Sequence, residues 1–82
     1  MQSDEWAPPA APVRAAGVGA ALRVLRIEAG VTQSVLARKL GTTQSAVARM
    51  ESGRARTSLE SVERAAAALG CDLGLVFERN SA

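Results

Sequence analysis

The chain has 82 residues, 48% of them apolar and only 2% aromatic, with ten lysines and arginines against eight aspartates and glutamates for a formal charge of +2. That length permits one small domain with a modest core, too little for an enzyme cleft with a second layer around it, and the alanine-rich composition makes the core thin and helical. A single cysteine, Cys71, and the absence of histidine exclude an intramolecular disulfide, a cysteine zinc site and histidine-based catalysis, so neither a metal nor a cofactor is expected.

Residues 1–15, MQSDEWAPPAAPVRA, contain all three prolines and neither a helical nor an alternating apolar pattern, which predicts an extended or disordered tail. Trp6 in this tail is either unstructured or an anchor on a partner or dimer mate; Arg14 could instead reach a phosphate, as flexible basic arms do, although one arginine is weak evidence for that. The apolar run from Ala15 to Leu25 is interrupted by Arg23 and preceded by Asp4 and Glu5, where a signal peptide would carry positive charge. The expectation is a soluble, cytoplasmic protein without a membrane span.

The first helix is predicted from Ala16 or Gly17 to Ala29, with Val18, Leu22 and Leu25 facing inward and Gly30 ending it; Gly17 and Gly19 weaken its start. The stretch from Thr32 to Gly53 then reads as two short amphipathic helices joined by a tight turn. Val35, Leu36 and Leu40 recur at helical intervals in the first of these, and Ala46, Val47 and Met50 in the second. Ala37 is small where a longer side chain would block a close crossing. Gly41 can take the left-handed conformation that closes a helix, and Thr42 or Thr43 can cap the next one. This is the helix-turn-helix plan. Helical spacing leaves Gln44, Ser45, Ala48 and Arg49 facing outward on the second helix, which is predicted from Gln44 to Glu51 with Gly53 as terminator. Glutamine can bond adenine bidentately, arginine can do the same to guanine, and serine adapts to either. Around the motif, Arg38, Lys39, Arg49, Arg54 and Arg56 stand against Glu51 alone, a balance that points to a polyanionic partner. Arg54 and Arg56 lie in the loop SGRARTS and are expected along the phosphate backbone, where they supply affinity without selecting sequence; Arg38 is assigned to the same phosphate-contacting set.

The fourth helix is predicted from Ser58 or Thr57, where Thr57 to Glu60 has capping-box spacing. It continues to Leu69, with Leu59, Val62, Ala66 and Leu69 inward and Gly70 at its end. Next comes CDLGLVFE, in which Cys71, Leu73, Leu75 and Phe77 alternate with Asp72, Gly74, Val76 and Glu78. Period two argues for a strand over 71–79, with Leu73, Leu75, Val76 and Phe77 as its pairing residues. A lone strand cannot satisfy its backbone groups and no other segment looks like a partner. Two copies paired across a twofold axis are the economical solution, giving a homodimer. Residues 80–82 are expected to fray.

From about Leu22 to Leu69 the chain resembles the Cro/cI-type (Xre) helix-turn-helix family, to which phage repressors belong. The resemblance rests on Thr32-Gln33, Leu36-Ala37, Leu40-Gly41, Thr43, Val47, Glu51, Gly53, Leu59, Val62 and Leu69-Gly70 in register. It implies a mainly α, four-helix lambda-repressor-like domain over residues 16–70. It further implies a pair between Arg26 and Glu51, a phosphate contact from Gln33 at the start of its helix, and base reading by Gln44, Ser45 and Arg49, with Thr43 near the backbone or a thymine methyl. Many members have a fifth helix where this chain has its alternating segment; similar terminal strands follow the motif in HipB/HigA-type antitoxins. The expected function is that of a sequence-specific, dimeric regulator of transcription, a repressor on a palindromic stretch of double-stranded DNA. The alternative is an antitoxin that binds and neutralises a toxin protein and represses its own operon. No paired carboxylates, nucleophile with a base, or phosphate-cradling glycine loop points to an enzyme.

Overall fold

Among the described residues four α-helices follow one another, α1 (Val18–Glu28), α2 (Gln33–Leu40), α3 (Gln44–Ser52) and α4 (Leu59–Ala68). The computed structural model describes residues 17–53, 57–74 and 79. The tail with Trp6 and Arg14, the loop residues Arg54 and Arg56, the strand residues Leu75, Val76 and Phe77, and residues 80–82 lie outside that range.

The starts of α2, α3 and α4 are each fixed by a hydroxyl. Thr32 Oγ1 accepts from the Val35 amide, Thr43 Oγ1 from the Ala46 amide and Ser58 Oγ from the Ser61 amide, each at 3.1 Å. Each bond satisfies one of the amides that a helix N-terminus leaves without an intrahelical partner. Ser58, rather than Thr57, therefore caps α4. Between α2 and α3 the chain reverses at Gly41, whose φ of 68° is the left-handed conformation, and the Thr42 amide donates back to the Ala37 carbonyl at 2.9 Å. A side chain at Gly41 would meet nothing within 4 Å, so backbone conformation alone demands glycine there.

The core is a cluster of Leu22, Leu36, Ala37, Val47, Ala65 and Leu69, against which Leu25, Leu40 and Met50 pack half-buried. Leu36 on α2 and Val47 on α3 have no exposed surface, and each contributes about 1.5–3 kcal/mol by leaving water. α3 packs on α1 and α2, and α4 packs across the same two helices. The motif thus rests on a base formed by α1 and α4.

Three expectations about inward faces change. Val18 and Leu59, each the first residue of its helix, are 46% and 54% exposed. A stripe that is apolar by period continues past the point where a facing helix covers it. Conversely Ala65 is fully buried at the centre of α4, where a short side chain lets the helices approach. Gly19 has a similar role: a Cβ there would collide with the backbone carbonyl oxygen of Met50 and come within 2.8 Å of that of Glu51. The glycine that weakens α1 as a helix is what lets α1 lie against the end of α3. In the C-terminal segment, residues 71–74 carry no strand assignment, and Leu73 is half-buried.

Candidate nucleic-acid interface

The exposed side of the motif is organised by a chain of polar contacts that begins in the interior. Arg26 on α1 and Glu51 on α3 are both buried. Arg26 Nε donates to Glu51 Oε2 at 2.6 Å and Nη2 donates to Oε1 at 3.0 Å, while Nη1 donates to the Val31 carbonyl at 2.8 Å. The guanidinium is therefore engaged on two sides, and the bidentate geometry is the strong form of such a pair. Glu51 Oε1 also accepts from Gln33 Nε2 at 3.0 Å. Gln33 Oε1 in turn accepts from Gln44 Nε2 at 2.7 Å.

The direction of this chain follows from chemistry. Arginine can only donate and an ionised carboxylate can only accept, so the amide nitrogen of Gln33 must face Glu51 and its oxygen must face Gln44. Gln44 has to answer with its own nitrogen. The amide of Gln44, exposed on the first turn of α3, then retains one acceptor oxygen and one N–H, the complement of the N6 donor and N7 acceptor of adenine. Gln33 retains one N–H beside the first turn of α2, where backbone amides and the helix dipole favour an anion.

Thr43, Ser45 and Arg49 are exposed near Gln44 on the same helix or at its cap. The Thr43 hydroxyl accepts from the Ala46 amide and keeps its own O–H to donate. Ser52 Oγ donates to the Arg49 carbonyl at 2.9 Å in the last turn. Arg38 stands apart. It is exposed in the last turn of α2, five residues and about 140° around the helix from Gln33, where a cation complements the C-terminal end of the dipole. Arg54 and Arg56 fall between Gly53 and Thr57 and are outside the described residues.

Spacing alone did not point to the contact between Gln33 and Gln44, because the two residues lie on different helices and meet only through their crossing. The Arg64 guanidinium donating to the Leu40 carbonyl at 3.3 Å, which ties α4 to the end of α2, was likewise not anticipated. After α4, burial pushes the Cys71 thiol above its ordinary pKa, and neighbouring Asp72 adds to the shift. Among the described residues no cluster of acidic, cysteine or histidine side chains could hold a metal ion, and no helix is long and apolar enough to cross a membrane.

No curated protein matches the chain. A family model described as a helix-turn-helix domain matches residues 18–76, a span that takes in all four helices and the turn at Gly41. The chain belongs to the helix-turn-helix domain family.

Proposed function

We propose that the chain is a sequence-specific DNA-binding regulator of transcription, without enzymatic activity, that acts as a repressor on a palindromic operator. The observation that carries the reading is the hydrogen bond from Gln44 to Gln33, itself held by Glu51 and Arg26. It presents one donor and one acceptor at the exposed start of α3, the inventory that major-groove recognition of adenine requires. Ser45 and Arg49 extend the reading along α3, and Gln33, Arg38, Arg54 and Arg56 contact phosphates.

The alternating apolar segment from Cys71 to Glu78 supports a homodimer in which two copies pair their C-terminal strands. Such a dimer sets its two α3 helices about 34–36 Å apart, one turn of the duplex. A footprint on the promoter upstream of the protein's own reading frame tests the reading. Two protected half-sites about one helical turn apart are expected, with affinity falling steeply with salt. Equal binding to every duplex at every promoter would overturn sequence specificity. A chain ending at Gly70 is expected to sediment as a monomer; if it remains a tight dimer, the strand is not the interface.

A further inference from the structure

Arg23 is the exposed cation of α1; the other arginine of that helix, Arg26, is buried. Gly19, Arg23 and Arg26 follow one another at intervals of four and three residues, so they form a row along one side of the helix. Both ends of the row meet the last turn of α3. A Cβ at Gly19 would collide with the Met50 carbonyl oxygen, and Arg26 is paired with Glu51. Arg23 therefore emerges beside the end of α3, on the solvent side of the seam between the two helices, where it forms no hydrogen bond or ion pair with a described residue.

Its charge is not balanced nearby. The residues three and four positions away on the helix are Gly19, Ala20, Arg26 and Ile27, and Glu28, the one acid of α1, lies five residues on and about 140° around. The carboxylate across the seam is Glu51, whose two oxygens are already taken by Arg26 and Gln33. What borders this flank is the first turn of α2. Arg26 Nη1 holds the Val31 carbonyl just before that turn, and Glu51 holds Gln33 within it. One guanidinium thus ties the flank of α1 to the place where a spare amide N–H and the free backbone amides of α2 favour an anion. The Cβ of Arg23 lies about 5–6 Å from that of Arg26, a gap that one arginine side chain spans.

We propose that Arg23 contacts the sugar-phosphate strand beside the phosphate addressed by Gln33, so that α1 as well as the motif holds the duplex. The proposal deepens the DNA-binding reading given above and rests on it. A salt titration of the full chain tests it, on the operator located by footprinting and on a duplex of random sequence. Arg23→Gln is expected to lower the slope of log affinity against log salt by about 0.9 on both duplexes, with the same fold-loss of affinity on each. Arg23→Lys, which keeps the charge, should keep the slope. Arg64→Gln removes an equal charge from α4, where the guanidinium meets the Leu40 carbonyl at the far end of α2, about 10 Å along the helix from Gln33; it should change the slope much less. A slope for Arg23→Gln equal to that of the unaltered chain overturns the proposal. An equal fall for Arg64→Gln overturns it as well, because net charge would then replace contact as the cause. So does a loss confined to the operator, since a phosphate contact carries no sequence information. An unaltered chain that binds neither duplex overturns both readings, whereas an unaltered chain that binds and an Arg23→Gln chain that matches it overturn the Arg23 contact alone.

Discussion

Gln33 on α2 and Gln44 on α3 are joined amide to amide at 2.7 Å, so the residue expected at a phosphate and the residue expected at a base share one hydrogen bond. Removing Gln33 then has two effects. Gln33→Ala is expected to weaken binding to all duplexes through the lost phosphate contact and also to blunt discrimination at the base opposite Gln44. Arg49→Ala should behave differently, costing about 1–3 kcal/mol on the operator while leaving random-sequence binding almost unchanged. Titrations of both variants against operator and scrambled duplexes at fixed salt distinguish the two patterns. Equal losses of operator and random binding for Arg49→Ala would remove it from the base-reading set.

The buried pair of Arg26 and Glu51 predicts an asymmetry between single and double replacement. Glu51→Gln leaves a buried guanidinium with a neutral partner, and a cost of about 3–5 kcal/mol is expected in chemical denaturation. Replacing both, as Arg26→Met with Glu51→Leu, should recover much of that loss because two apolar side chains leave no charge to desolvate. The same double variant should still bind DNA more weakly, since Gln33 loses the carboxylate that orients it. A double variant as unstable as the single one would show that the cost lies in packing.

At Gly19 the geometry and helix propensity make opposite forecasts. Alanine is better than glycine inside a helix by about 1 kcal/mol. The added Cβ, however, would run into the carbonyl oxygens of Met50 and Glu51, which are backbone and cannot swing aside. Overpacking of this kind costs about 1–3 kcal/mol, so Gly19→Ala should lower the melting temperature. A raised melting temperature would mean that α1 can lift off α3 without loss.

How much of this was legible in the sequence depends on the range of the interaction concerned. The start of α3 and the reversal at Gly41 depend on neighbours within a few residues; glycine chemistry located the reversal, and capping chemistry narrowed the helix start to Thr42 or Thr43, of which Thr43 is the cap. The pair of Arg26 and Glu51, twenty-five residues apart, was anticipated only through family resemblance, because no local pattern links an arginine on α1 to a carboxylate on α3. The burial of Ala65 and the close approach at Gly19 escaped for a related reason. Small residues give a weak apolar signal, and their use becomes visible only when a second helix lies against them. Val18 and Leu59 erred the other way: periodicity says which face a residue is on, but not whether the opposing element extends far enough to cover it.

The Cys71 thiol, raised by burial and by Asp72, gives a pH-dependent expectation. Its folded pKa lies above the unfolded one, so the native state holds the proton more tightly. The associated stability is present below the unfolded value and is lost as pH rises through the folded one. Alkylation by iodoacetamide at mildly alkaline pH should be slower in the native protein than in urea, and the melting temperature should decline as the thiol ionises. A native rate equal to that in urea would contradict the shift.

Gln44 and Glu51 are seven residues apart on α3, two turns that return to nearly the same side of the helix. Ser45 and Arg49 lie off that side. The helix is therefore divided lengthwise into a half that is locked to the rest of the protein and a half that is not. Residues 45 and 49 can be exchanged without disturbing the contacts that hold α3 at its angle, which makes them the natural place for the protein's preference among duplexes to drift. A library randomised at those two positions should yield folded proteins with redirected specificity, whereas one randomised at 33, 44 and 51 should yield mostly proteins that have lost their hold on any duplex.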